Sequence, residues 1–99
     1  MVLVFAQAHL DLLLLAAIRG EPGDGEAVMR ELREKSGGRF TPSPQSVYSA
    51  LHRLERNRLI QRLNVESRHY VLTASGRRSL NMKRKEWESF AKGVQTLLQ

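Results

Sequence analysis

Residues 40–60 read FTPSPQSVYSALHRLERNRLI. Ser43-Pro44 is a helix start. A serine hydroxyl caps backbone N–H groups that no helical carbonyl reaches, and proline at the first helical position gives up an N–H that would be unpaired anyway. Val47, Leu51 and Leu54 then recur at the spacing of one helical face, with Ala50 beside them, so that face turns inward. The opposite, solvent-facing side carries Gln45, Ser49, His52 and Arg56. Ser46 and Arg53 lie on one flank and Tyr48 on the other. The outward face therefore opens with hydroxyls and an amide and ends in arginines.

Working outward from this helix, the rest of the chain falls into place. Leu10 to Arg19 is apolar almost all round and predicts a central helix that stops at Gly20. GEPGDG, residues 20–25, is a loop, and Asp24 in it is an N-cap for a second helix with Val28 and Leu32 on its apolar stripe. SGG at 36–38 ends that helix, with Gly37 or Gly38 free to adopt the left-handed conformation. Downstream, LIQRLN and RHYVLT (59–64 and 68–73) read as a hairpin around a tight link near Val65-Glu66-Ser67. After Thr73 a last helix carries Trp87, Phe90, Val94 and Leu97 at spacings of three, four and three, with Leu80 one heptad before Trp87 and Leu98 on the flank.

Three compact helices, a hairpin and a long helix give a mainly α (α+β) fold of order α-α-α-β-β-α, the winged helix-turn-helix arrangement, in which the third helix enters the DNA major groove. We expect a DNA-binding unit over residues 1–74, which includes a short N-terminal leader, and a dimerisation helix over 75–99.

Bulk properties agree. Ninety-nine residues hold one core. The absence of cysteine excludes disulfides, thiolate metal sites and thiol nucleophiles, and fits a reducing compartment such as the cytoplasm. The apolar N-terminus is broken by Gln7, His9 and Asp11 and falls short of the roughly 20 residues a membrane span needs, and no base precedes it as a signal peptide would require. Charge is segregated: residues 36–85 hold eleven Lys or Arg against two acids, whereas the remainder is mildly acidic. Such a basic half is the footprint of a polyanion.

On the third helix, Gln45, Ser46 and Ser49 sit where recognition helices touch bases, and glutamine pairs bidentately with adenine. Tyr48 is placed for a half-packed ring and a wet hydroxyl on phosphate. Ser43, His52, Arg53, Arg56 and Arg68, the last near the hairpin tip, complete the expected DNA-binding set. The alternative is an ordinary solvated helix face. His9, His52 and His69 have no metal-ligand spacing, and no nucleophile–base pair, phosphate loop or paired carboxylate is visible, so neither metal, cofactor nor enzyme activity is expected.

The run SGGRFTPSPQSVYSALHRLERNRLI, followed by HYVLTASGRRSL, resembles the PadR family of bacterial winged-helix transcriptional regulators. Matching positions are Ser43-Pro44, Val47-Tyr48, Ala50-Leu51, Arg53-Leu54-Glu55, Leu59-Ile60, Tyr70, Leu72-Thr73 and Gly76; the single last helix looks like the short subfamily. The resemblance implies a homodimer, usually a repressor, that binds double-stranded DNA at an inverted-repeat operator, with Tyr48 and the start of the third helix on DNA and the wing around Arg68 on backbone. The chain departs from the family pattern at Asp24-Gly25-Glu26, where relatives often carry His-Gly-Tyr, and in a wing tip without a Gly/Arg-rich run.

Leu80, Trp87, Phe90, Val94, Leu97 and Leu98 are the expected dimer interface, and Val2 to Phe5 would add to it. Some multidrug-responsive relatives hold flat aromatic compounds between aromatic residues of this helix. Trp87 and Phe90 occupy the matching region, so two readings stand for them: a site for a small aromatic effector, or interface core. Two functions compete for the whole chain: a sequence-specific regulator, and a winged-helix module that binds an acidic protein or nucleic acid without sequence preference.

Overall fold

A central apolar helix organises the chain. In the computed structural model, which describes residues 9–99, this is α1 (Leu10–Gly20). It is followed by α2 (Gly25–Lys35), α3 (Pro44–Arg56), β1 (Ile60–Arg62), β2 (Tyr70–Leu72) and α4 (Ala74–Leu98). The leader at Val2 to Phe5 lies outside the described residues. α1 packs against α2, α3, α4 and β2, which explains why its sequence is apolar almost all round. Leu14, Leu15 and Ile18 of α1 meet Val28 and Leu32 of α2, Val47, Leu51 and Leu54 of α3, and Ile60, Tyr70 and Leu72 of the hairpin in one core. Each such aliphatic side chain contributes about 1.5–3 kcal/mol on burial.

The helix ends are defined by local chemistry. Asp24 accepts from the Ala27 N–H at 2.9 Å, Ser43 Oγ from the Ser46 N–H at 3.2 Å, and Thr73 Oγ1 from the Gly76 N–H at 2.9 Å. α2 ends in a Schellman turn in which the Gly38 N–H reaches the Arg33 carbonyl, with Gly37 and Gly38 both at positive φ. α3 ends the same way: the Leu59 N–H donates to the Leu54 carbonyl and the Arg58 N–H to that of Glu55. Here the left-handed position is held by Arg58, at φ 60°.

The hairpin is antiparallel, with Ile60 opposite Leu72 and Arg62 opposite Tyr70. Its strands are three residues each, shorter than the pattern predicts, and residues 63–69 link them. The link is not a two-residue turn. Asn64 Oδ1 accepts from the Glu66 and Ser67 N–H groups, and this side-chain turn does the work of a glycine-based one. Gly23, in the loop before α2, forms a single antiparallel bridge to Tyr70 and so extends the small sheet.

α4 begins hard against the base of the hairpin. Thr73 donates its N–H to the Leu59 carbonyl at 3.1 Å, and its hydroxyl is shared between the Arg58 carbonyl at 2.7 Å and that of Leu59 at 3.1 Å. A Cβ on Gly76 would lie 1.9 Å from that same carbonyl oxygen, so only glycine fits there. Leu80, expected in the dimer interface, is instead 2% exposed within the chain's own core. The first two turns of α4 still face that core; from Asn81 onward no residue of the helix is buried. The described residues are accordingly elongated, with extents of 51 × 26 × 19 Å. No described helix is long and apolar enough to cross a membrane.

Candidate nucleic-acid interface

α3 presents its polar face as the spacing predicts. Gln45, Ser49, His52 and Arg56 are exposed, while Val47, Ala50, Leu51 and Leu54 are buried. The start of the helix is tied locally: Ser43 Oγ donates to Ser46 Oγ at 2.9 Å besides capping the Ser46 N–H. These bonds engage the Ser43 hydroxyl fully, and among the described residues the side chains of Gln45 and Ser49 and the Ser46 hydroxyl proton have no partner at this end. Their direction is set by a helix that three inward aliphatic side chains anchor to the core.

Tyr48 is 41% exposed. Its ring lies on the start of α2, where a Cβ on Gly25 would come within 2.4 Å of Cε1 and 2.8 Å of the hydroxyl oxygen. The absence of a side chain at Gly25 therefore lets the tyrosine lie flat across α2 with its hydroxyl at the surface. Nothing in the local sequence marks Gly25 for this role, because its contact is with another helix.

Tyr48 and His52 line one wall of a groove of about 560 Å³, with Asp24, Gly25 and Glu26 of the α2 start on a second side and Arg62, Arg68 and Tyr70 of the hairpin on the third. The hairpin thus brings Arg62 and Arg68 to the flank of α3. Arg68 stands on the returning arm of the link rather than at its tip, which is formed by Asn64 to Ser67. Arg62 is held by Glu55 of α3 at 3.2 Å.

Arg53 is placed differently from its neighbours. Its guanidinium pairs with the Asp11 carboxylate at the start of α1. The two residues border a cavity of about 480 Å³ together with His9, Lys83, Trp87 and Phe90. Trp87 meets His9 edge-on at a centroid distance of 5.2 Å and lies 5.8 Å from Phe90. Phe90, Leu97 and Leu98 are open to solvent, Leu97 at 86%, and Val94 is half-buried. The stripe expected on the last helix is therefore exposed apolar surface from Trp87 on, apart from half-buried Val94, and Leu80 is not part of it.

A capped helix with an outward polar N-terminus, flanked by a basic hairpin, stands on a three-helix core. A model of the transcriptional regulator PadR-like family matches residues 14–82, well over half of the chain. The chain belongs to that family. Solved structures of PadR-like proteins share the fold across nearly the whole chain. A PadR-like transcriptional regulator from Bacillus cereus is 25% identical, with 97% of each chain covered and a TM-score of 0.81. A transcriptional regulator from Clostridium thermocellum reaches a TM-score of 0.84 at 22% identity, over 97% of this chain and 96% of its own. A PadR family transcription regulator from Clostridium difficile superposes with a TM-score of 0.75 at 24% identity, over 92% of this chain and 99% of its own. No curated protein sequence matches significantly. As a member of the PadR-like family the protein is a DNA-binding transcriptional regulator and not an enzyme.

Proposed function

We propose that the protein is a homodimeric repressor that reads an inverted repeat with α3 and is released when a small ligand alters the pairing of its α4 helices. The observation that carries the DNA reading is the polar N-terminus of α3. Among the described residues Gln45 and Ser49 have no hydrogen-bond partner there, behind a fixed Ser43 cap, in a chain whose family binds DNA. In this reading Gln45, Ser46 and Ser49 face base edges, while Ser43, Tyr48, His52, Arg56 and Arg68 hold phosphates and fix register. Arg53 belongs to the same surface once it leaves Asp11.

The dimer reading rests on exposed apolar surface. Trp87, Phe90, Leu97 and Leu98 are large, solvent-facing and on a helix that runs past its own core. Surface of this kind marks an interaction site. A second copy packed on it would set two α3 helices side by side, and half-sites about 34–36 Å apart would then match one DNA turn. A planar ligand seated beside Trp87 and Phe90 would touch α1, α3 and α4 together, because all three line that cavity.

The test is selection of bound duplexes from a random pool, followed by binding to the winner at two salt concentrations, with sedimentation of the free protein alongside. The proposal expects an enriched inverted repeat, a sedimenting dimer, and a log K that falls with log salt by about 0.9 per phosphate neutralised. Salt-sensitive binding without enrichment would refute sequence-specific repression, and a monomer at micromolar concentration would refute the dimer.

A further inference from the structure

Arg53 lies at the junction of two surfaces. On one side it borders the cavity that holds Asp11, Trp87 and Phe90. On the other it lines a groove of about 380 Å³ with Leu10, Gln45, Ser46 and Ser49, the polar start of α3. Among the described residues it is the only cation in either surface that is salt-bridged, and its partner, Asp11, comes from a different helix 42 residues away. The pair is open to solvent, with the Arg53 side chain 45% and the Asp11 side chain 31% exposed. Exposed pairs of this kind are weak and easily traded for another anion. A DNA phosphate alongside Gln45 and Ser49 is such an anion.

We propose that Asp11 sets the DNA affinity of the protein by competing with the phosphate backbone for Arg53. The inference rests on the reading of α3 as the DNA-facing helix. In the free protein the guanidinium is turned toward α1 and its charge is cancelled. When DNA arrives, Arg53 gains a phosphate only by giving up Asp11, and the carboxylate left behind repels the backbone. Asp11 thus keeps one cation of the recognition helix in reserve, so that base contacts from Gln45 and Ser49 decide binding more than charge alone. The same arrangement gives a ligand in the aromatic cavity a direct route to the DNA face, since anything that engages Arg53 from the cavity side removes it from the groove side.

The experiment is a double-mutant cycle on DNA affinity with Asp11→Asn, Arg53→Gln and the double variant, read on the duplex recovered by selection and on a scrambled duplex of the same length. Asp11→Asn is expected to tighten binding to both duplexes by about twofold to fivefold, the size of an exposed ion pair. Arg53→Gln is expected to change affinity by less than about twofold while Asp11 is present, and to weaken it by about fivefold in the Asp11→Asn background. Thermal melts of all three variants are expected to stay near the wild type, as befits an exposed pair. An Arg53→Gln loss that is as large with Asp11 as without it would show that Asp11 positions Arg53 for DNA, and would overturn the competition. A gain from Asp11→Asn that persists undiminished in the Arg53→Gln background would reduce Asp11 to a through-space charge, and would overturn it too. Silence of Arg53→Gln in both backgrounds would also overturn it, and a Gln45→Ala, Ser49→Ala variant separates that failure from the failure of the α3 reading: loss of sequence preference there keeps α3 on the DNA, whereas unchanged preference removes it.

Discussion

Gly76 is the position where the fold tolerates least. It is the third residue of α4, where alanine is ordinarily the better helix former by about 1 kcal/mol. A Cβ there would lie 1.9 Å from the Leu59 carbonyl oxygen, about 1.5 Å inside ordinary contact, and the obstacle is backbone rather than a flexible side-chain end. Relief requires α4 and the strand entry to separate. That separation costs about 1–3 kcal/mol as overpacking. It also weakens the hydrogen bond from the Thr73 N–H to the same carbonyl and the one its hydroxyl shares between the Arg58 and Leu59 carbonyls, each about 1 kcal/mol net. After the propensity gain is deducted, Gly76→Ala should destabilise by about 3 kcal/mol, which lowers the melting midpoint of a domain this size by about 12–24 °C. Gly93 is the control within the same helix, since a Cβ there meets nothing within 4 Å. Gly93→Ala should leave the midpoint unchanged or raise it, by at most the roughly 4–8 °C that about 1 kcal/mol is worth in a domain of this size. The assay is thermal unfolding followed by far-UV circular dichroism. If Gly76→Ala melted with the wild type, α4 would not start against the Leu59 carbonyl, and the docking of α4 on the hairpin base would be wrong.

Gly25→Ala should displace the Tyr48 ring from the start of α2, weakening DNA binding severalfold while the melting midpoint moves only slightly, because the ring is half in solvent; titration of a labelled duplex reads this, and unchanged affinity would remove Tyr48 from the DNA contact set. Arg58→Gly should stabilise by about 1 kcal/mol, since arginine holds a left-handed position that glycine adopts freely; a chemical-denaturation midpoint that does not rise would contradict that backbone conformation. Leu80→Ala should cost about 2–5 kcal/mol of stability, as a fully buried leucine does, whereas Trp87→Ala should chiefly raise the dimer dissociation constant seen in sedimentation; the reverse pattern would exchange their roles.

What the sequence makes legible here is what neighbours in the chain decide. Asp24 and Ser43 announce their helices because a cap acts on residues three positions away, and the α3 face reads cleanly because its period is local. The hairpin is legible as two apolar stretches but not in extent, since Asn64 builds the turn with its side chain and leaves no glycine signature. Gly25 and Gly76 give no local sign of their importance: each is a glycine because of a distant partner, Tyr48 in one case and the Leu59 carbonyl in the other. Arg53 looks like any surface base until α1 brings Asp11 to it. Leu80 misleads for a related reason. It continues the heptad of Trp87, yet what a helical stripe faces changes along α4, from the chain's own core to open solvent, and periodicity carries no record of where that change falls.

That change along α4 bears on how a signal would reach DNA. α1 touches both the proximal part of α4 and the back of α3, through a core whose largest members are fully buried. Such an interior is close-packed and moves as a unit rather than flexing residue by residue. A ligand therefore has little scope to reshape α3 from within the domain. The exposed length of α4 beyond Leu80 is where compliance lies, since no residue of it is buried and Trp87 meets the rest of its chain edge-on, at His9. In the proposed dimer, a small rotation at Trp87 and Phe90 would be carried by the rigid core to both α3 helices and appear as a change in their separation. Half-site spacing on DNA is fixed by the helical repeat, so a change in that separation lowers specific affinity even when no base-reading residue is disturbed. Arg53 is the exception to this rigid coupling in the proposed reading, because among the described residues it lines both the aromatic cavity and the groove at the start of α3, held there only by an exposed ion pair to Asp11.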